Sequence, residues 1–381
     1  MDSSSNPGGF APPDPPSPSL AGTPSPAPPQ RAANRARPPA GATRPAAAFR
    51  DGLRRVNGAP VLVCGMFAIT LLVSLPLSTA LGGMIQEHLG RSLAADAAAA
   101  GADYDWWQEF SAQATGLGKT FAPTIVGFGA VLDNLESLLD NRRLAVTIAG
   151  ATCAWLVIWS FLSGGVIDRL ARARPTRSSG FFAACGTHFW RFMRLGLVAL
   201  LVYYVLFAGI HAWMFDALYP RLTRNLTVER TAFLIRLGCY AVFGLLLFLC
   251  NLAFDYARIR IVVEDRRSAA GALIAGSRFV RRNRGALWLY LLNGGAFLSL
   301  VLLYALLAPG APRSGVRMWL TLGIGELYVF LRHYLKLVFY ASETSYFQGA
   351  VAHASYTAAP AVVWPESPAA EAVLNADSIA P

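Results

Sequence analysis

Six apolar segments, each long enough to cross a lipid bilayer, constrain this sequence more than any other feature. They lie at roughly residues 59–82, 144–167, 195–215, 232–254, 285–307 and 316–341. An α-helix needs about 20 mainly apolar residues to cross a hydrocarbon core about 30 Å thick. Because unpaired backbone polar groups are very costly in lipid, such segments should be helical. The sequence therefore predicts an all-α fold, a polytopic transmembrane helix bundle of about six spans.

The composition agrees with a membrane protein. Apolar residues make up 54% of the 381 residues and charged residues only 14%, whereas soluble domains carry about 25% charged residues. The formal net charge of +11 raises the alternative of nucleic-acid binding. The arginines, however, flank the apolar segments, where they orient membrane helices. The composition therefore predicts the lipid bilayer as a partner and no nucleic acid.

The loops between the apolar segments alternate in charge. Six arginines lie between residues 169 and 194 and eight between residues 258 and 284, whereas the loop at 83–143 holds eight acidic residues. Because arginine-rich loops stay in the cytoplasm, both termini are predicted to be cytoplasmic. The abundance of Ala and Arg over lysine favours a bacterium, and hence its inner (plasma) membrane. Aromatic residues alternate with arginines in both basic loops, which is typical of interfacial helices on an anionic cytoplasmic leaflet.

Three regions follow from these patterns. Residues 1–48 are mostly Pro, Ala, Ser and Gly, and too little apolar surface is present to offset the entropy of ordering, so a disordered cytoplasmic arm is predicted. Residues 49–346 form the predicted six-span membrane domain, with an outer loop at about 83–143. Residues 347–381 are predicted to be a flexible cytoplasmic tail.

The outer loop is the one sizeable segment expected outside the bilayer. Its Trp106 and Trp107 suit the headgroup layer. The apolar run 121–132 is too short to span, which favours an interfacial or re-entrant piece. We favour a connector that follows the membrane surface. The alternative is a periplasmic lid or docking surface.

The two basic loops resemble each other. Phe189, Arg191 and Arg194 recur ninety residues later as a second Phe-Arg-Arg set at 279, 281 and 284. The second and fourth spans also both end in an aspartate followed by arginines. One hypothesis is a parallel repeat of helix, amphipathic helix and helix. The alternative is that basic cytoplasmic loops look alike by default.

No motif for catalysis or cofactor binding is complete. The run 115–120 ends like a phosphate-binding loop, but Gln113 stands where its first glycine belongs. The five histidines are scattered over different segments, and none of the five cysteines forms a CxxC pair. We therefore predict no catalytic, cofactor-binding or metal-binding residue and no cofactor.

Polar residues inside the apolar segments are the remaining candidates for function, because ionisable groups are costly in a membrane. Seven residues make up a predicted polar seam, centred on the fourth and sixth spans: Asn251, Asp255, Glu326, Arg332, Lys336, Arg236 and Asp168. Towards the outer side, Arg236 would neutralise Glu326. A structural role is the first hypothesis, and a transport path through the fifth and sixth spans is the alternative.

The inner half of this polar seam follows from helix register. The fourth and sixth spans run in the same direction, so a parallel register would set Asn251 against Arg332. The same register would set Asp255 against Lys336. Asn251 and Asp255 are four residues apart on the fourth span, as are Arg332 and Lys336 on the sixth, so the members of each pair share one helix face. Asp168, the counterpart of Asp255 in the possible repeat, is the reserve partner.

The stretch before the fifth span resembles a known class of proteins. The residues at 255–264 (Asp-Tyr-Ala-Arg-Ile-Arg-Ile-Val-Val-Glu), 272–274 and 279–283 are similar to those of a loose class of bacterial six-span integral membrane proteins. That class is similar to the membrane domain attached to some glycerophosphodiester phosphodiesterases. The chain has no room for their barrel-shaped catalytic domain, so the resemblance implies a membrane fold and no activity.

These observations leave three hypotheses for function. The first is a non-enzymatic accessory or assembly protein of the cell envelope, with an envelope protein as partner. The alternative is a transporter or permease whose path is lined by polar residues of the fifth and sixth spans. The third, a membrane enzyme acting on lipid, needs converging acids at one leaflet, and only Asp168, Asp255 and Glu264 come near that requirement.

The topology makes the first testable prediction. Alkaline phosphatase fused after Ala114 should be active, because the enzyme folds only outside the cytoplasm, and the same fusion after Arg177 should be inactive. Enzyme activity and fusion-protein level are measured together in a bacterial host. The opposite pattern of activities would contradict the predicted orientation.

Overall fold

Helices are the only regular secondary structure in the part of the chain that the computed structural model describes, which is residues 44–100, 103–122, 127–142, 146–308 and 315–351. The described residues belong to one compact unit, Ala40–Pro381. This confirms the prediction of an all-α fold.

The helices follow one another with short turns. In chain order they are α1 (Pro45–Asn57), α2 (Pro60–Leu89), α3 (Ala95–Ala100), α4 (Tyr104–Gln113), α5 (Phe128–Leu139), α6 (Val146–Arg172), α7 (Ser178–Tyr204), α8 (Tyr219–Thr223), α9 (Glu229–Val263), α10 (Ala269–Arg282), α11 (Arg284–Leu307) and α12 (Val316–Ala350). A short 3₁₀ helix, Gly116–Thr120, follows α4. Two π-helical segments, Val205–His211 and Trp213–Leu218, join α7 to α8, so that Ser178–Thr223 is one continuous helix.

Five helices among the described residues are long and apolar enough to cross a membrane. They are α2, α6, the continuous α7–α8 helix, α9 and α11. Large apolar side chains on them point outward, such as Leu72, Leu201 and Leu306, which are 68%, 64% and 83% exposed. Such apolar surface is stable only against lipid, so the chain is a multi-pass membrane protein. The sixth predicted span corresponds to α12, which has 35 residues but whose apolar stretch is interrupted by charged residues.

The core of the bundle lies at one end of the spans. We call this the basic end; it is formed by α1, α10, the turn between α6 and α7, and the C-terminal half of α12. Here α1 packs on α11 and α12, and α10 packs on α9. The largest hydrophobic cluster joins Ile167 of α6, Phe254 of α9 and Tyr340 of α12, all almost fully buried. The short helices α1 and α10 therefore close the basic end.

The limits of the membrane domain lie a few residues outside the predicted ones at both ends. Ala48, the last residue of the predicted disordered arm, is fully buried in α1. Phe347, the first residue of the predicted flexible tail, is fully buried in α12. Both residues belong to one hydrophobic cluster, so the start of α1 and the end of α12 stabilise each other by packing together. The rest of the predicted arm (1–43) and tail (352–381) lies outside the described residues.

The two hairpins at the basic end share some local features. Both turns contain a non-glycine residue in the left-handed region, Ala173 (φ 52°) after α6 and Asp265 (φ 51°) after α9. They differ afterwards, because α7 continues unbroken into its span whereas Asn283 separates α10 from α11. The internal repeat stays a prediction.

The opposite end of the bundle carries a small aromatic core. Asp103 caps α4 by accepting a hydrogen bond from the Trp106 backbone N–H at 2.7 Å. Trp106 is only 7% exposed and packs on Phe110 and His88. The amphipathic α4 turns this side chain towards α2, so Trp106 packs inside the protein, and its place in the headgroup layer stays a prediction. The Trp107 Nε1–H donates to the Phe121 carbonyl at 3.1 Å.

The predicted interfacial run 121–132 is described only in part, because residues 123–126 lie outside the described residues. Its second half forms the start of α5. Leu132, Leu135 and Leu138 of α5 are about half exposed. An exposed apolar row on a short helix is typical of an interfacial helix.

The contact between α1 and α12 makes the second testable prediction. A Cβ atom at Gly52 would lie 2.7 Å from the Ser342 Cβ and 2.8 Å from its backbone, so Gly52→Ala should destabilise the fold by roughly 1–3 kcal/mol. Gly65→Ala is the matched control, because nothing lies within 4 Å of its added Cβ. Unfolding of the purified protein in detergent is followed by tryptophan fluorescence. Equal stability of the two variants would show that this helix contact is looser than described.

Candidate functional site

The C-terminal half of α12 is buried on every side. From Leu337 to Phe347 almost all residues are buried, including the polar stretch Ser342-Glu343-Thr344-Ser345, in which exposure is 8% or less. A helix is buried on all sides only where it lies at the centre of a bundle, with other helices around it. Here α1, α6, α9 and α11 surround it.

Four charged side chains meet where α9 and α12 cross. We call Asp255, Arg258, Lys336, Tyr340 and Glu343 the buried polar cluster. The Arg258 Nη1–H donates to the Asp255 Oδ1 at 2.6 Å and contacts the Tyr340 hydroxyl at 3.4 Å. The Lys336 Nζ lies 4.9 Å above the Tyr340 ring, a cation–π contact. The Asp255 carboxylate is thus paired with Arg258, and this pairing lowers the cost of burying it.

Glu343 has the least usual environment in this cluster. It is 0% exposed, and neither carboxyl oxygen has a hydrogen-bond partner among the described residues. Asp255, Lys336 and Arg258 are its charged neighbours. Because an isolated buried carboxylate is very costly, the two cations are the groups that can offset its charge.

Hydrogen bonds tie the polar stretch of α12 to α11 and α1. The Asn293 Nδ2–H donates to the Ser342 Oγ at 2.9 Å, which links α11 to α12. The Ser345 hydroxyl donates to the Asp51 Oδ2 at 2.7 Å. Asp51 also forms an ion pair with Arg55 at 2.8 Å. Buried polar groups that are satisfied in this way fix the relative positions of helices.

Arg55 extends the same network to α6. Its Nη1–H donates to the Leu170 carbonyl at 3.0 Å and to the Gln348 Oε1 at 2.9 Å. The Gln348 amide in turn donates to the Ala171 carbonyl at 3.1 Å. These bonds satisfy carbonyl groups in the last turn of α6, which have no partner inside the helix. The network therefore joins α1, α6, α11 and α12.

The structure brings the predicted helices together but pairs the inner residues differently. The contact of Arg258 with Tyr340 shows that α9 and α12 are neighbours, as predicted. Asp255 pairs with Arg258 rather than with Lys336 directly. Arg258 lies one turn away on the same helix, so Asp255 reaches it without any particular packing. Lys336 remains a charged neighbour of Asp255.

Asn251 and Arg332 also differ from the predicted pair. The Tyr203 hydroxyl donates to the Asn251 Oδ1 at 2.5 Å. Arg332 is exposed and forms no hydrogen bond or ion pair within the described ranges. The Arg258–Tyr340 contact joins residues 82 apart, within one residue of the predicted offset, so α9 and α12 lie close to the predicted register although Asn251 and Arg332 do not pair.

The outer members of the predicted seam also have other partners. Arg236 donates to the Tyr240 hydroxyl at 2.9 Å and lies 3.5 Å from Asp140. Glu326 has one enclosed oxygen without a partner in the described part of the chain. A functional role for these residues stays a prediction.

Asp168, the reserve partner, is engaged on its own helix. It pairs with Arg172, whose Nε lies 2.9 Å from both carboxylate oxygens. This ion pair spans one turn at the end of α6 and is partly exposed. Asp168 is therefore not a direct partner of Lys336.

Sequence reasoning missed the residues that are most deeply buried. The predicted sixth span ends at residue 341, which puts Ser342, Glu343 and Ser345 at the edge of the predicted membrane domain. The signal that could have revealed them is the aromatic set Tyr340, Tyr346 and Phe347, which flanks this polar stretch and predicts that the helix continues into a core.

The chemistry available to this cluster is charge pairing and proton exchange by carboxyl and phenol groups. Within the described ranges, no group of three His, Cys, Asp or Glu side chains lies close enough together to hold a metal ion. The arrangement thus offers a buried polar core in which helices are joined by side-chain hydrogen bonds.

The ion pair of Asp255 and Arg258 makes the third testable prediction. Arg258→Met should destabilise the protein by roughly 3–5 kcal/mol, because it leaves the Asp255 carboxylate buried without its partner. Combining it with Asp255→Asn should recover part of the loss, because no unpaired charge remains. Unfolding in detergent is again the measurement.

Arg236→Met is the matched control on the same helix. The Arg236 and Asp140 side chains are 49% and 34% exposed, so this variant should cost at most about 1 kcal/mol. Equal losses for Arg236→Met and Arg258→Met would contradict the special role of the buried pair.

No family model, no curated protein and no solved structure matches this chain. The resemblance to the membrane domain attached to some glycerophosphodiester phosphodiesterases stays a prediction.

Proposed function

We propose that this multi-pass membrane protein is a non-enzymatic accessory or assembly protein of a bacterial inner membrane. The observation that carries the proposal is the closed packing of the basic end. There, the polar groups of α1, α6, α11 and α12 bond to one another, as in Asn293–Ser342 and Ser345–Asp51. Helices joined by satisfied buried groups form a rigid body. A rigid membrane body suits a protein that holds or positions an envelope partner.

The charge distribution supports an orientation with both termini in the cytoplasm. Arg278, Arg281 and Arg282 of α10 are exposed at the basic end. Exposed arginines beside membrane spans favour the cytoplasmic side and an anionic leaflet. The envelope partner would then meet the protein through its spans or at the opposite end, where α4 and α5 lie.

The resemblance from residues 255–283 fits the same proposal. In that class of proteins the membrane domain stands beside a separate catalytic domain. We propose that this chain provides a comparable membrane fold without the catalytic part.

Transport is the second candidate, and a specific observation favours it. The carboxyl groups of Glu343 and Glu326 both have enclosed oxygens without partners in the described part of the chain. Ionisable groups inside membrane bundles commonly mark proton or ion paths.

Glu343 separates the two candidates, which is the fourth testable prediction. An accessory protein should still complement a deletion of its gene in the source bacterium when it carries Glu343→Gln, because the amide keeps the side-chain shape. Glu87→Gln, which changes an exposed glutamate paired with Arg91, is the matched control. The measurement is envelope integrity, followed as detergent sensitivity, together with the membrane level of each variant.

Proteoliposomes provide the second arm of this test. Vesicles that hold the purified protein and an internal pH-sensitive dye should lose an imposed pH gradient no faster than protein-free vesicles. Faster loss with the wild-type protein would show that it conducts protons. If Glu343→Gln abolished both this proton conduction and the complementation, the accessory role would be overturned in favour of transport.

A further inference from the structure

A pocket lined by arginines opens at the basic end beside α10. Its volume is about 440 Å³, and its polar wall contains Arg260, Arg266, Arg278, Arg282 and Asn283. The polar seam predicted from the sequence contains none of these five residues. The pocket is separate from the buried polar cluster, although both involve α9.

Two of the four arginines are held in place by one carboxylate. The Arg260 Nε and Nη2 donate to the two Glu264 oxygens at 3.0 and 2.7 Å. The Arg266 Nε also donates to Glu264. Arg260 is further supported by the Phe347 ring, which lies 5.4 Å from its guanidinium carbon. These two guanidinium groups are therefore preorganised, with one carboxylate shared between them.

The other two arginines are available to a ligand. Arg278 and Arg282 are four residues apart on α10, so their side chains share one face of the helix. Both are exposed, and neither forms a hydrogen bond or ion pair with another residue that the structure describes. Four arginines and Glu264 leave an excess of three positive charges around the pocket (4 − 1 = 3).

This arrangement matches the chemistry of a phosphate group. A guanidinium group presents forked N–H donors that fit phosphate oxygens, and such charge-assisted bonds are among the strongest hydrogen bonds in proteins. The remaining wall is apolar and includes Ile274, Ala275 and Val351. Ile274 is 58% exposed, so an apolar surface adjoins the charged pocket.

We propose that this arginine pocket binds a phosphate-bearing ligand. Arg278 and Arg282 contact the phosphate, and the braced Arg260 and Arg266 provide the positive field behind them. The phosphate comes either from the headgroup of an anionic phospholipid or from a free phosphorylated solute. The apolar rim at Ile274 suits an acyl chain in the first case.

The experiment uses the full chain purified in an uncharged detergent, and it is the fifth testable prediction. Binding of phosphatidylglycerol is measured by native mass spectrometry and by the rise in unfolding temperature. Glycerol phosphate is the free-phosphate probe, and diacylglycerol is the lipid without phosphate. Binding of phosphatidylglycerol alone identifies a lipid headgroup, and equal binding of glycerol phosphate identifies a free solute. Binding of neither, or equal binding of diacylglycerol, would overturn the proposal.

A pair of double variants tests the location. Arg278→Gln with Arg282→Gln should weaken binding roughly tenfold or more, because the direct phosphate contacts are lost. Arg281→Gln with Arg284→Gln removes the same charge from neighbouring positions that do not line the pocket, so binding should change little. Similar losses in both double variants would mean that diffuse charge attracts the ligand, and the pocket would have no role.

Discussion

The burial of the C-terminal half of α12 is the constraint on which the rest of the basic end depends. A helix that is enclosed on all sides cannot leave its serine and glutamate side chains in contact with water. Neighbouring helices must provide partners, and Asn293 of α11 and Asp51 of α1 do so for Ser342 and Ser345. Because unpaired buried polar groups are costly, this requirement positions α1 and α11 against α12 more narrowly than apolar packing alone.

Arginines serve two different roles at the basic end. Arg258 is partly buried, and it balances the charge of the buried Asp255 one turn away. Arg278 and Arg282 lie at the surface without partners in the described part of the chain, beside a pocket of about 440 Å³. The first role stabilises the bundle and the second leaves charge available for a ligand. The number of arginines in the sequence does not distinguish these two roles, because the role of each arginine depends on the groups that surround its side chain.

The candidate site could be predicted from the sequence only in part. Asp255 and Lys336 were identified because charges inside apolar segments are costly, and the structure places both in the buried polar cluster. Arg258 was not predicted as the hydrogen-bond partner of Asp255, because the sequence does not show which of two nearby cations turns its side chain towards the carboxylate. Glu343 was missed altogether, because a polar stretch at the end of an apolar segment has the same pattern as a helix leaving the membrane.

The sequence by itself determined that the chain is helical and membrane-embedded, because long apolar segments have no other stable state in a bilayer. It also determined where the arginines and acids gather along the chain. Only the tertiary structure decided that Ala48 and Phe347 belong to the core, that α12 is enclosed at its C-terminal half, and that four arginines surround one pocket. The physical reason is that the hydropathy of a segment is a property of its own residues. Burial and pocket formation depend instead on contacts between residues that are far apart in the chain.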